Sequence, residues 1–184
     1  MKRLDRYVFL ARNLVAGLPL GYALVSTRWE QENDLLNWSI AIPLCAAGIA
    51  MRAWASEHCN YAQRKPGRLA TTGPYAFVRN PLYVGNLLII TAATIASELV
   101  WMVPLAVLWA WGAYHLVSEV YERPFMIRRY GEDYRRYRER VPAWIPHRLR
   151  GMPSFSWHSL LANSARIGLL LPFALKEFGW FGLG

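Results

Sequence analysis

The chain has 184 residues, of which 54% are hydrophobic, with nine tryptophans, ten tyrosines and a net charge of +9. This length fits one domain, and the composition is typical of a membrane protein with aromatic residues at both interfaces. The arginines stand in short loops beside apolar segments, so the positive charge indicates topology and attraction to membrane lipids, and no nucleic-acid partner is expected. Two cysteines, far apart and without CxxC spacing, argue against a structural zinc site.

Five apolar segments predict an all-α fold, a polytopic membrane bundle of about five transmembrane helices. They cover residues 8–27, 35–55, 81–96, 99–117 and 160–178. Three of them approach the roughly 20 residues needed to span a bilayer core, whereas the third is short and Arg166 and Pro172 interrupt the fifth. The first segment contains Arg12 and Asn13 and lacks a cleavage-site pattern, so it is expected to be a retained helix and not a signal peptide.

Basic residues alternate between the loops and predict the orientation. Arginine and lysine concentrate in residues 2–6, 64–79 and 123–150. The intervening loops differ, because residues 28–34 hold one arginine against three acidic residues and residues 97–98 hold no base. The positive-inside rule therefore predicts a cytoplasmic amino terminus, two long cytoplasmic loops and an external carboxyl terminus.

The first long loop ends in "GPYAFVRNPLYVGN", residues 73–86, which carries the signals of a helix start. Asn80 is a good N-cap and Pro81 a good first helical residue. Such a start leaves backbone N–H groups beside the guanidinium of Arg79, which together suit an anion such as a carboxylate or phosphate. The alternative is ordinary capping of a helix that has an arginine at the interface.

The second long loop begins with acidic residues at the end of the fourth apolar segment. His115, Glu119 and Glu122 are spaced i, i+4, i+7, which predicts one helical face. Acidic residues at the end of a membrane helix line a cavity or pair with a base, so both a site and simple pairing with nearby arginines remain open. A metal site is the weakest alternative, because the triplet lacks a further ligand.

An amphipathic helix at the membrane surface is predicted next, with Tyr130, Tyr134 and Tyr137 on one face and arginines opposite. The segment "VPAWIP", residues 141–146, cannot continue this helix because prolines bound it. It is expected to fold back as a lid over the start of the helix at Asn80.

The motif at residues 73–85, a helix-end glutamate and then "YGEDYRRYRERVPAWIP" at residues 130–146 resemble the isoprenylcysteine carboxyl methyltransferase family. More broadly, they resemble the small integral-membrane methyltransferases that include phospholipid N-methyltransferases. The match spans about residues 52–146. We therefore expect a single integral-membrane domain, 1–184, with 52–146 as the core that carries the cofactor motifs and 158–180 as an extra carboxyl-terminal helix.

The resemblance implies that the cytoplasmic helix ends enclose S-adenosylmethionine, which leaves as S-adenosylhomocysteine, and that a lipid or lipidated small molecule reaches the methyl group from the bilayer. It implies a bacterial-type protein of the inner membrane whose active site faces the cytoplasm. The catalytic positions that it implies are Glu122, Arg79 and His58. The cofactor-binding positions that it implies are Gly73, Pro74, Tyr75, Arg79, Asn80, Pro81, Tyr83, Gly85, Glu122, Tyr134, Tyr137, Ile145 and Pro146.

Two positions depart from the family pattern. Asn80 replaces the histidine of the eukaryotic "RHP" form, and Arg123 occupies the second position of the paired-glutamate motif, which leaves Glu122 alone to meet a cation or a ribose. The expected function is methyl transfer from S-adenosylmethionine to an amphiphilic carboxylate or amine at the membrane interface. The alternatives are a membrane-embedded NADPH-dependent reductase of the sterol-reductase type and a non-catalytic membrane scaffold.

Overall fold

The computed structural model describes residues 11, 14–23, 33–63, 68–146, 168 and 170–177. Over these residues the chain forms helices joined by short turns, without strands, which confirms the predicted all-α membrane bundle. The helices are α1 (Leu14–Ala23), α2 (Asp34–Gln63), α3 (Pro81–Ala96), α4 (Val103–Val117), α5 (Arg123–Arg140) and α6 (Leu171–Glu177). Arg12, Asn13 and residues 160–167 of the fifth apolar segment lie outside the described residues.

Two helical stretches, Asp34–Cys59 and Val100–Arg140, are long and apolar enough to cross a membrane, whereas α1 and α3 are apolar but shorter. Large side chains of α4 such as Leu105, Leu108 and Trp109 are exposed on the outside of the bundle. An outward-facing apolar surface of this kind suits contact with lipid tails.

Helices α2 and α3 approach each other closely at Gly48 and Gly85. A Cβ atom added to Gly85 would lie 2.6 Å from Cγ of Arg52 and 2.8 Å from the carbonyl oxygen of Gly48. Small residues at facing positions let two membrane helices bring their backbones together. Gly85 has no side chain, so the aliphatic part of Arg52 lies directly over it. The guanidinium of Arg52 thereby reaches the first turns of α3.

A π-helical turn, Ser118–Glu122, joins α4 to α5. A turn with i to i+5 hydrogen bonds holds more residues than an α-turn, so it rotates the residues that follow it. The predicted common face of His115, Glu119 and Glu122 is therefore changed, and the two glutamates have different partners, as described below.

Helix α5 forms where the amphipathic helix was predicted, but it is broken at Gly131, whose φ of 55° and ψ of −124° are not helical. A positive φ is readily adopted by glycine, which has no Cβ. The break separates Tyr130, which contacts Arg129, from Tyr134 and Tyr137, which are both buried. The predicted tyrosine face is thus restricted to the second part of the helix.

The close contact of α2 and α3 predicts that Gly85→Ala destabilises the protein by about 1–3 kcal/mol, because the new methyl group overlaps the stem of Arg52 and the backbone of Gly48. Thermal unfolding in detergent measures the effect. Gly112→Ala on α4 is the matched control, since a Cβ atom there meets nothing within 4 Å, and it should keep or raise the midpoint because alanine favours the helix more than glycine does. Equal midpoints for the two variants would contradict the packing described.

Candidate active site

The loop between α2 and α3 is built around a direct contact of Gly73 with His58. Gly73 has a φ of +61°, and a Cβ atom there would lie 2.5 Å from the imidazole ring of His58. Nδ1 of His58 lies 3.0 Å from the carbonyl oxygen of Trp54, which can only accept a hydrogen bond. In neutral His58 the proton therefore belongs on Nδ1, and Nε2, on the Gly73 side of the ring, is the basic nitrogen.

Tyr75 connects this loop to two helices. Its carbonyl oxygen accepts a 2.7 Å hydrogen bond from the hydroxyl of Tyr137 on α5. Burial raises the pKa of Tyr75 well above its ordinary value, and a hydrogen bond with Cys59 and the nearby Tyr137 and Glu122 add to the rise. Tyr75 is therefore a neutral phenol at physiological pH. It brings α2, the loop, α5 and Glu122 into one neighbourhood.

Helix α3 begins at Pro81 as predicted, and the carbonyl oxygen of Asn80 accepts the first bonds, from the backbone nitrogens of Tyr83 at 3.0 Å and Val84 at 3.1 Å. Asn80 occupies the N-cap position, as predicted, but its side chain makes no capping hydrogen bond. Its Oδ1 atom accepts a 3.2 Å hydrogen bond from the hydroxyl of Ser118 instead, so the side chain is directed to the π turn. The first turn of α3 consequently has no side-chain cap.

Arg79 lies between this helix start and the carboxyl-terminal end of the site. Its backbone N–H donates to the carbonyl oxygen of Pro142 at 2.8 Å, which confirms that residues 141–146 fold back over the start of α3. The side-chain Nε of Arg79 is buried and has no hydrogen-bond partner in the described part of the chain. Its positive charge acts on Glu119 in the π turn and on Tyr137 in α5, so the guanidinium lies within electrostatic reach of both.

Glu122 is held by Tyr83. The tyrosine hydroxyl donates to Oε1 of Glu122 at 2.5 Å, a length typical of a hydroxyl bound to a carboxylate. The ring of Tyr83 is buried and stacks on Tyr114, with 4.5 Å between centroids and 19° between planes. The carboxylate is thus attached to an aromatic stack that rises from the first turn of α3.

Glu119 has different neighbours. Its Oε2 atom lies 2.9 Å from Arg123 and 3.3 Å from Arg138, so this carboxylate joins the π turn to both parts of α5. Pairing with arginine, one of the two alternatives for these glutamates, is therefore confirmed for Glu119. Among the residues described, no group of three or more histidine, cysteine, aspartate or glutamate side chains is arranged to hold a metal ion.

The lid places Trp144 over the aromatic stack. Its ring lies 6.2 Å from Tyr83, 6.2 Å from Trp111 and 6.3 Å from His115, measured between centroids. Its indole Nε1 is buried without a hydrogen-bond partner among the described residues. Ile145, next in the chain, is 76% exposed, so the lid turns its tryptophan inward and its isoleucine outward.

The remaining predicted positions are distributed around this centre. Pro74 and Pro81 are fully buried and shape the loop and the start of α3. Tyr134 and Tyr137 are buried next to each other, with ring centroids 6.3 Å apart. Gly85 faces α2, and Pro146 is exposed at the end of the lid. A cofactor contact at these positions stays a prediction.

A known protein family matches this chain. The sequence profile of the phospholipid methyltransferase family matches residues 38–133, slightly more than half of the chain. The chain belongs to the phospholipid methyltransferase family. No curated protein and no solved structure gives a significant match.

Membership of the phospholipid methyltransferase family implies methyl transfer to a lipid-like substrate by a membrane protein. The matched region contains α3, α4, the π turn and Glu122, which are the elements that form the centre of the site.

Four residues of the candidate site were not predicted from the sequence. They are Arg52, Asn86, Tyr114 and Trp144, which surround the stack of Tyr83 and the bond to Glu122. Arg52 carried a usable signal, since an ionisable residue inside an apolar segment marks a functional site by default. The others are ordinary aromatic or amide residues, and only the packing of the helices brings them together.

Glu119→Gln removes the carboxylate between Arg123 and Arg138 and leaves like charges close together, so we expect a loss of about 1 kcal/mol in stability. Thermal unfolding at low salt checks this, and high salt should reduce the loss by screening. Glu132→Gln is the control, because Glu132 makes only long, exposed pairs of 3.7 Å within α5. A larger loss for the control would contradict a structural role of Glu119.

Proposed function

We propose that the protein transfers a methyl group from S-adenosylmethionine to a lipid-like amphiphile, a carboxylate or an amine, at the membrane interface. The observation that supports this most directly is a set of buried donors without partners around one loop. Within the described chain they are Nε of Arg79, Nε1 of Trp144 and Nε1 of Trp54. Buried donors normally have partners, so a polar ligand is a physical reason for leaving them unpaired.

The donor set fits the two ends of S-adenosylmethionine. The carboxylate of its methionine part suits the guanidinium of Arg79 and the backbone N–H of Leu82 in the first turn of α3, which has no side-chain cap. The sulfonium and the ribose suit Glu122 and the faces of the tyrosines around it. Arg79 and Glu122 are thus opposite poles of one site, with α3 beginning between them.

When bound, S-adenosylmethionine supplies an electrophilic methyl group. The contribution of the protein is to hold the acceptor atom in line with that methyl at about 3–3.5 Å and to exclude water, for which the lid with Trp144 is placed over the stack. An amine acceptor must lose its proton to react, and Nε2 of His58 or the carboxylate of Glu122 is available to accept it. A carboxylate acceptor is already deprotonated and needs no base.

The membrane supplies the acceptor. Helix α3 has 16 residues and is therefore about 24 Å long, shorter than a bilayer core of roughly 30 Å, and we propose that its start lies inside the protein below the interface. A site at that depth opens to the side, toward lipid. This favours an amphiphile whose tail stays in the bilayer while its headgroup reaches the site.

The proposed function is tested by adding S-adenosylhomocysteine and NADPH in turn to the detergent-purified protein. A ligand that binds the native state stabilises it, by about 2.7 kcal/mol at a hundredfold excess over its Kd, and therefore raises the melting temperature. We expect S-adenosylhomocysteine to raise it and NADPH to leave it unchanged. A rise with NADPH alone would favour the reductase alternative, and no rise with either would favour the scaffold.

Arg79→Ala should weaken the binding of S-adenosylmethionine and S-adenosylhomocysteine alike, by roughly 1.5–3 kcal/mol, because both carry the carboxylate that the guanidinium is proposed to bind. Isothermal titration of each ligand gives the two dissociation constants. Arg128→Ala on the exposed face of α5 is the control for losing one positive charge and should leave both constants unchanged.

Glu122→Gln keeps the shape of the side chain and a carbonyl acceptor for Tyr83, but it removes the negative charge. If that charge acts on the sulfonium, the variant should lose affinity for S-adenosylmethionine and keep its affinity for the neutral-sulfur product. If Glu122 binds only the ribose, both affinities should fall equally. Glu139→Gln, exposed on α5, is the control, and unchanged binding of both ligands by Glu122→Gln would contradict the assignment.

A further inference from the structure

A chain of polar side chains crosses three helices beside the proposed site. Arg52 of α2 donates through Nη1 to the carbonyl oxygen of Leu82 at 3.2 Å and also to the side-chain oxygen of Asn86. Nδ2 of Asn86 in turn donates to the hydroxyl oxygen of Tyr114 on α4 at 3.1 Å. Arg52 lies within the stretch of α2 that is long and apolar enough to cross the membrane, where a charged residue has a high cost unless it serves a purpose.

Arg52 fixes the direction of every bond in this chain. A guanidinium can only donate, so Asn86 must present its oxygen to Arg52. The NH2 group of Asn86 must then face Tyr114, whose hydroxyl oxygen accepts the bond. The hydroxyl proton of Tyr114 is consequently directed away from Asn86, and the bond holds the hydroxyl end of the ring beside α3.

The orientation of Tyr114 is passed on through ring stacking. Tyr83 lies 4.5 Å from Tyr114, nearly parallel to it, and both rings are buried, so a rotation or shift of one ring displaces the other. The hydroxyl of Tyr83 holds the carboxylate of Glu122. The chain from Arg52 through Asn86, Tyr114 and Tyr83 therefore ends at the carboxylate of Glu122, the negative pole of the proposed site.

We propose that Arg52 is a positioning residue that acts through Asn86, Tyr114 and Tyr83 to set the place of the Glu122 carboxylate. This role rests on the proposed function, because the measured consequence is the binding of the cofactor and its product. Gly85 is part of the arrangement, since only a position without a side chain lets the stem of Arg52 reach Asn86.

The test measures the dissociation constants of S-adenosylmethionine and S-adenosylhomocysteine for a set of variants, together with their melting temperatures. Arg52→Gln should change the same dissociation constants as Glu122→Gln does, in the same direction and by about threefold to tenfold, because groups in one network are coupled. Arg52→Lys keeps a donor to Asn86 and should stay within about twofold of the wild type.

Asn86→Asp provides a second variant in case Arg52→Gln does not fold. It keeps a partner for Arg52 and the packing of the helices, but it replaces the donor to Tyr114 with an acceptor, so the direction of that bond is reversed. It should shift the same constants as Arg52→Gln. Thr91→Ala is the matched control on α3, because its hydroxyl bonds only to Leu87 within the same helix, and it should shift neither constant.

The combination of Arg52→Gln with Glu122→Gln should bind both ligands as Glu122→Gln does alone, since Arg52 is proposed to act through that carboxylate. Additive losses would overturn the proposal, as would wild-type constants for Asn86→Asp or for Arg52→Gln. If the wild type binds neither ligand, the proposed function fails and the role of Arg52 fails with it. If Glu122→Gln alters binding and Arg52→Gln does not, only the role of Arg52 is overturned.

Discussion

The close approach of α2 and α3 at Gly48 and Gly85 is the constraint on which the site depends. The two glycines let the helix backbones come together, and a side chain at position 85 would overlap the stem of Arg52, which fills the space above Gly85. The first turn of α3 is thereby fixed against α2. That turn carries Tyr83 and follows Arg79, so the negative and positive poles of the proposed site are set by one helix–helix contact.

The second constraint is the π turn between α4 and α5. By changing the number of residues per turn, it separates two glutamates that would otherwise share a face. Glu119 pairs with two arginines of α5, whereas Glu122 accepts a hydrogen bond from Tyr83 of the tyrosine stack. The two carboxylates thus have different partners, arginines for Glu119 and a tyrosine for Glu122. This also explains how Arg123 is accommodated beside Glu122, since its charge is taken up by Glu119.

The lid completes an enclosure made by segments that are distant in the sequence. A backbone bond from Arg79 to Pro142 holds it down, and Trp144 rests on rings from α3 and α4. Nε1 of Trp144 in the lid and Nε of Arg79, whose backbone holds the lid, are buried without hydrogen-bond partners in the described chain, which suits a polar ligand more than a closed structural core. The proposed function gives this arrangement a reason, because it would bring a polar cofactor next to a lipid-like substrate beside a short apolar helix.

The sequence alone determined the features that depend on local chemistry. Apolar length predicted the bundle, Pro81 predicted the start of α3, and the prolines after α5 predicted the turn back of the lid. Tertiary structure decided the partners of the polar groups. The side chain of Asn80 bonds to Ser118 and not to the start of its own helix, and Arg52 bonds to Asn86, which is 34 residues away. Caps and periodicity are set by neighbours within a turn, whereas these partners are chosen by how closely the helices pack and by where the π turn rotates the chain.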